Sequence, residues 1–305
     1  MKIFVTGGSG MVGRNIVEFL NGKGLNILYP TSDEVNLLNK KDVKNYILRN
    51  KPEMIIHCAG KVGGIQANIN NPVRFLYENT QMGLNILMSS YESGIKKFMN
   101  VSSSCMYPRN IKNPLNEDSI LSGELEPTNE GYALSKIITT RFCEYLKREN
   151  NSFHYKTIIP CNLYGKYDSF DLINSHMIPS VLRKMHEAKI NNQTNITMWG
   201  NGKARREFMY VGDLSNFVYY AINNFDKMPQ NINIGLGLDY SIKDYYKIIA
   251  DVTGYKGKIK NDLSKPVGIE QKLINNTKLI EFGWKHKTSL KDGIQKTYNY
   301  YLNDI

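Results

Sequence analysis

The chain has 305 residues, of which 41% are hydrophobic, 22% charged and 11% aromatic. That length and mixture exclude a disordered chain and allow a sizeable core, in one large domain or two small ones. The formal charge of +11 is spread over predicted helices with acidic residues among the lysines, so it reads as a solvated surface that steers anionic small molecules, not as a nucleic-acid or membrane-binding stripe.

Reading from the N-terminus, Lys2–Thr6 is a β-rich run that ends in glycines, followed by Met11, Val12, Ile16, Val17, Phe19 and Leu20 at helical spacing. A second strand is expected at 26–29, a helix at 41–50 and a third strand at 54–58, then a helix at 72–93 and a strand at 97–101. A helix at 132–149 leads to a strand at 156–159. Strand and helix alternating at this spacing predict right-handed βαβ units and a parallel sheet covered on both faces. Beyond about residue 165 the pattern loosens, with helices expected near 178–188, 245–253 and 291–302 and strands near 195–198 and 208–211.

The expected fold is therefore α/β: a Rossmann-type doubly wound parallel sheet with a smaller C-terminal substrate-binding lobe. Residues 1–165, with about 207–235, form the dinucleotide-binding part; 166–206 and 236–305 form the lobe. No apolar run approaches the ~18–20 residues that span a bilayer, and the start of the chain has no secretory apolar core, so a soluble, cytoplasmic protein is expected. Cys58, Cys105, Cys143 and Cys161 form no CxxC and no metal-ligand spacing with histidine. They read as reduced thiols, and no metal is expected.

Gly7-Gly8-Ser9-Gly10-Met11-Val12-Gly13 is GxxGxxG placed directly after a strand and at the start of a helix. The glycines permit a tight turn, close approach of backbone to a pyrophosphate and tight helix–strand packing, while the helix N-terminus favours the anion. The second strand ends in Tyr29-Pro30-Thr31-Ser32 without an acid at its tip, and Asp33 and Glu34 follow. Arg14 stands where it can reach a 2′-phosphate. This reading leans to NADP(H) and leaves NAD(H) open.

Tyr132 and Lys136 share a helix face as YxxxK. A neighbouring ammonium is expected to lower the phenol pKa toward working pH, making Tyr132 a proton donor to a carbonyl that receives hydride. Ser102-Ser103-Ser104 lies about 30 residues upstream, just past the fourth strand, where open parallel sheets bind ligands. Glycine loop, serine and YxxxK in this order resemble the extended short-chain dehydrogenase/reductase superfamily.

Further segments resemble a narrower group, the GDP-L-fucose synthase family of GDP-4-keto-6-deoxymannose 3,5-epimerase/4-reductases. They are Ala59–Ile65, Ser103–Pro108, Leu125–Glu130, Asn162–Gly165, Asn174–Pro179 and Arg206–Phe208, all in register. The resemblance implies a reductive triad of Ser103, Tyr132 and Lys136, with Cys105 and His176 exchanging protons at C3 and C5 beside the C4 ketone. It places the cofactor against Gly7, Gly8, Ser9, Gly10, Met11, Val12, Gly13, Arg14, Ser32, Ala59, Gly60, Val101 and Ser102, and against Tyr132, Lys136, Pro160, Asn162, Leu163 and His176. It places a GDP-linked 4-keto sugar against Ser104, Asn162, Arg183, Lys184, Trp199, Arg206 and Lys272, with neither nucleic acid nor membrane as partner. It also implies a homodimer formed through the helices at 72–93 and 132–149, and a role in making sugars for surface polysaccharide.

The chain departs from the family at Ser9 and Ser32, where many members carry arginine, and at Pro266-Val267-Gly268, where they carry Pro-Asp-Gly. The substrate is accordingly expected to be the mannose-derived ketosugar or a related heptose derivative, reduced at C4 with or without 3,5-epimerisation. Three alternatives stand beside this reading: a C4-reductase served by a separate epimerase, a UDP-sugar epimerase that returns its NAD(H) unchanged, and a retired scaffold that binds nucleic acid through its basic surface.

Overall fold

The computed structural model describes residues 1–172, 175–265 and 268–304; Asn174, Pro266 and Val267, which figure in the sequence reading, lie outside them. The first part of the chain runs β1 (Lys2–Thr6), α1 (Met11–Asn21), β2 (Asn26–Leu28), α2 (Lys40–Asn50), β3 (Met54–His57), α3 (Ile65–Asn70), α4 (Pro72–Glu92), β4 (Lys97–Val101), α5 (Glu130–Glu149) and β5 (His154–Pro160). The second part runs β6 (Asn162–Tyr164), α6 (Met177–Ile190), β7 (Asn195–Trp199), β8 (Arg205–Arg206), β9 (Phe208–Tyr210), α7 (Val211–Asn223) and β10 (Asn231–Ile234). It continues with β11 (Tyr240–Ser241), α8 (Ile242–Thr253), β12 (Lys258–Asp262), β13 (Gln271–Lys272), α9 (Thr277–Glu281) and α10 (Leu290–Asp304).

Six parallel strands form the central sheet in the order β10-β5-β4-β3-β1-β2. Alternate side chains serve its two faces: Ile3 and Val5 join one buried cluster with Ile16, Leu20 and Phe217, while Phe4 joins the other with Ile55, Phe98 and Ile86. Burial on both faces explains why these strands read as continuous apolar runs and not as alternating ones. The strand order reverses at β1, which opens a crevice at the carboxyl ends of β1 and β3.

Local signals set several helix ends. The Asn39 side chain accepts from the backbone of Lys41 and Asp42 at the start of α2, and Ser241 with Asp244 makes a capping box on α8, which Gly254 closes in the left-handed conformation. The sequence pattern does not single out α7 or β10. In β10 Asn233 is as buried as the isoleucines: its amide accepts from the Tyr107 hydroxyl at 2.5 Å and donates to the carbonyls of Leu115 and Asn275. A polar residue that reads as the exposed face of a strand is, at Asn233, buried and satisfied by hydrogen bonds.

A third buried cluster lies outside the sheet and includes Ile178, Leu182, Met185, Ile196, Met198, Tyr245, Ile249 and Ile294, from α6, β7, α8 and α10. Its strands are fragments: β7 pairs with β12, β6 with β9, and β8 lies between β11 and β13. Among the described residues no helix is long and apolar enough to cross a membrane.

Candidate active site

The glycine turn packs to the limit of its space. Gly7 sits at φ +69°, and a Cβ there would lie 2.7 Å from the Ala59 backbone. A Cβ on Gly13 would come within 2.1 Å of the Gly7 carbonyl oxygen. The α1 N-cap is Gly10, which has no side chain to occupy the free N–H groups, and the first turn carries no acid. Those N–H groups and the helix dipole suit a pyrophosphate, so the residues present fit a dinucleotide.

Ser9 and Ser32 are exposed, at the glycine turn and beyond β2. Glu34 turns its carboxylate back to accept from the Thr31 N–H at 2.8 Å. Arg14 places its guanidinium 3.8 Å from the centre of the Tyr167 ring, beside Glu18. It therefore spans from α1 to the turn after β6.

Ala59 and Gly60 follow β3, and two buried groups that the sequence reading does not name hold this turn. Thr6 Oγ1 lies 2.8 Å from His57 Nδ1 and accepts from the Ala59 N–H; burial drops the His57 pKa to about 3, so the ring is neutral. Asn79, on the buried side of α4, accepts from the Lys61 N–H at 2.6 Å and donates to the Lys61 and Phe75 carbonyls. The available signal was a polar residue where the helical period calls for an apolar one.

Ser103 caps a short 3-10 turn over Ser104–Met106, accepting from the Cys105 N–H at 3.3 Å. Its hydroxyl bears on both the Tyr132 phenol and the Cys105 thiol, where burial raises each pKa and the serine opposes the rise. Ser102 turns the other way, with its hydroxyl on Met106 Sδ and Thr140, and Ser104 is buried in the turn. Lys136 is buried, donates to the Val101 carbonyl at 3.2 Å and stands 5.7 Å from the Tyr132 ring centre. A Cβ on Gly60 would lie 3.5 Å from its ammonium. The structure thus brings Ser103, Cys105, Tyr132 and Lys136 together at the carboxyl ends of β3 and β4, beside the glycine turn.

The electrostatics correct one expectation. Burial, followed by the neighbouring Cys105, raises the Tyr132 pKa instead of lowering it, and burial pulls the Lys136 pKa down. The physical reason is desolvation: burial disfavours the charged phenolate. The phenol keeps its proton, which suits a donor. Cys105 is likewise raised, first by burial, with Lys272 the largest opposing charge.

Pro160 ends β5 in register with Ile234. Asn162 and Leu163 begin β6, and the Asn162 amide donates to the Glu207 carbonyl at 2.9 Å. His176 stands at the N-cap position of α6 without a side-chain cap bond; it is exposed, and desolvation lowers its pKa.

The residues expected to hold the sugar nucleotide fall into two groups. In one, Lys184 donates to the Thr197 carbonyl at 3.2 Å, beside the exposed Trp199 at the end of β7. Its neighbour Arg183 is engaged with Glu187 at 2.6 Å and the Phe170 carbonyl. In the other, Arg206 and Lys272 are register partners on β8 and β13, and the Lys272 ammonium in turn faces Cys105 and Cys161.

Residues 3–235 match the model of the NAD dependent epimerase/dehydratase family. The chain is 56% identical to a GDP-L-colitose synthase of Yersinia pseudotuberculosis, over 100% of this chain and 99% of that one. It is 44% identical to a GDP-L-fucose synthase of Azorhizobium caulinodans, over 99% and 96%. Among solved structures, MlghC, a GDP-mannoheptose C4 reductase of Campylobacter jejuni with NADP bound, superimposes with a TM-score of 0.90 at 32% identity, covering 99% of this chain and 98% of that one.

Proposed function

Because the chain belongs to the NAD dependent epimerase/dehydratase family, we propose that it is an NADPH-dependent oxidoreductase that reduces the C4 ketone of a GDP-linked 4-keto-6-deoxy sugar, with 3,5-epimerisation preceding the reduction. The observation that carries this reading is the convergence of Ser103, Tyr132 and Lys136 beside the glycine turn, in a chain whose relatives bear the names of GDP-sugar synthases and reductases.

NADPH supplies hydride to the carbonyl carbon when bound. The Ser103 hydroxyl and the protonated Tyr132 phenol donate to the ketone oxygen, and Tyr132 passes its proton to the alkoxide as it forms. Lys136, held on the Val101 carbonyl, places a positive charge where it offsets the phenolate left behind. A 4-ketone acidifies C3–H and C5–H, and Cys105 with the imidazole of His176, whose pKa desolvation lowers, offers a thiol and a base for exchange there. Arg206 and Lys272 supply charge for the diphosphate, and Trp199 an exposed aromatic face.

In this reading residues 1–165 with about 207–235 hold the dinucleotide, and 166–206 with 236–305 hold the sugar nucleotide. A homodimer, working in the cytoplasm, is proposed through α4 and α5, which expose Val73, Tyr77 and Tyr145. The test is incubation with GDP-4-keto sugars and NADPH in deuterated water, followed by NMR. Reduced product with deuterium at C3 and C5 is expected; the absence of NADPH consumption with every ketosugar overturns the assignment.

A further inference from the structure

Resting on the reading of the cleft as a site for a GDP-linked sugar, we infer that Glu207 is the positioning residue that sets Arg206 and Lys272 for the diphosphate. These two cations come from strands of only two residues each, β8 and β13, paired as Gln271 with Arg205 and Lys272 with Arg206. A ladder that short is marginal by itself, so the precision of the cation pair must come from elsewhere.

Glu207 follows Arg206 directly and is 1% exposed. Its carboxylate is spent on backbone N–H groups: one oxygen accepts from Leu236 at 2.5 Å and Gly237 at 2.8 Å, the other from Ile274 at 3.1 Å. Its own carbonyl accepts from Asn162 on β6. A single residue therefore joins four pieces of chain: β6, the β10–β11 connection, the segment just past Lys272, and the strand bearing Arg206. Room for it is tight, because a Cβ on Gly235 would lie 2.5 Å from the carboxylate and 2.9 Å from Ile274.

Chemistry explains why this is a carboxylate. Two oxygens that only accept can serve three N–H groups at once; burial outweighs these bonds and pushes the pKa of the group up to about 7, so the full set of acceptors is present above that pH. Along an extended segment successive side chains point to opposite sides; with Glu207 locked inward, Arg206 is directed the other way. Fixing Ile274 fixes Lys272, two residues before it, against the register partner it shares the cleft with.

The test is Glu207→Gln. The amide has one accepting oxygen, so in either orientation it sets an NH2 group against a backbone N–H. We expect the affinity for GDP, measured by calorimetry, to fall at least tenfold and the KM for the ketosugar nucleotide to rise in step. The kcat should stay within threefold and NADPH affinity should be unchanged; Glu207→Asp, which keeps two accepting oxygens, should recover part of the loss. Unchanged GDP affinity in the Gln variant overturns the inference, as does an equal fall for GDP and NADPH. If the Gln variant does not fold, Gly235→Ala, whose methyl crowds the carboxylate, must show the same selective loss of GDP, and normal GDP binding there is equally fatal. Failure of the unsubstituted protein to bind GDP sinks the functional reading instead, and so is distinguishable.

Discussion

Tyr132 and Lys136 stand on α5, packed beside the central sheet, and Ser103 just past the end of β4, whereas Arg206 and Lys272 stand on two-residue strands in a lobe assembled from fragments. The first half of the cleft is stiff because parallel strands, with α4 and α5 packed beside them, leave its reactive groups few alternatives. The second half, beside its own apolar cluster, depends on buried polar ties such as Glu207. In the proposed function one half carries the chemistry and the other the recognition, and each should fail in its own way.

The largest effect should come from the sheet side. Tyr132→Phe removes the donated proton and leaves the ring packed against Phe75, so kcat should fall by roughly 10²–10⁴ while GDP and NADPH affinities hold. Stopped-flow oxidation of NADPH with calorimetric binding checks the split. A parallel loss of binding would mean that the two halves are not separable.

Next in size is Cys105→Ser, which probes the seam, since Cys105 comes from the sheet side and His176 from the lobe. Deuterium exchange at C3 and C5 should drop about 10²-fold, while a substrate already in the product configuration is still reduced. If exchange survives, proton transfer there does not pass through the thiol. Gly13→Ala follows: the added methyl meets the Gly7 carbonyl oxygen at 2.1 Å, which should cost about 1–3 kcal/mol of stability and weaken NADPH more than GDP. A thermal melt and two binding titrations decide it.

What the sequence made legible divides along the same line. β1, α1, β4 and the Tyr132–Lys136 helix could be read because each is long, periodic and bordered by its own turn signals. In the lobe, β8, β11 and β13 are two residues long, too short for any period, and their positions are set by partners far along the chain. The candidate site shows the same contrast. Ser103, Tyr132 and Lys136 announce themselves by spacing after a strand and along a helix, but Glu207, Asn79 and His57 act through long-range hydrogen bonds that no local pattern encodes. The direction of the Tyr132 pKa was hidden for a related reason: spacing reports the neighbouring ammonium but not how thoroughly both groups are removed from water.

The smallest effect sits in the lobe, in the loop between β6 and His176. Asp168 is buried; one oxygen accepts from the Ser169 N–H at 2.8 Å and the other has no partner among the described residues. Burial pushes its carboxyl from 3.8 up to about 7. The folded protein therefore holds this proton more tightly than the unfolded chain. The stability linked to the group is complete below about pH 4 and drains away as pH rises from there to about 7, where the folded form ionises too. Asp168→Asn keeps the acceptor for Ser169 without a charge to bury. It should be nearly neutral at pH 4 and stabilising at pH 8, by about 1–2 kcal/mol or roughly 2–4 °C in Tm. A gain that is the same at both pH values would show that the carboxyl ionises freely in the folded lobe, and that this loop, unlike the sheet-side cleft, admits water to its interior.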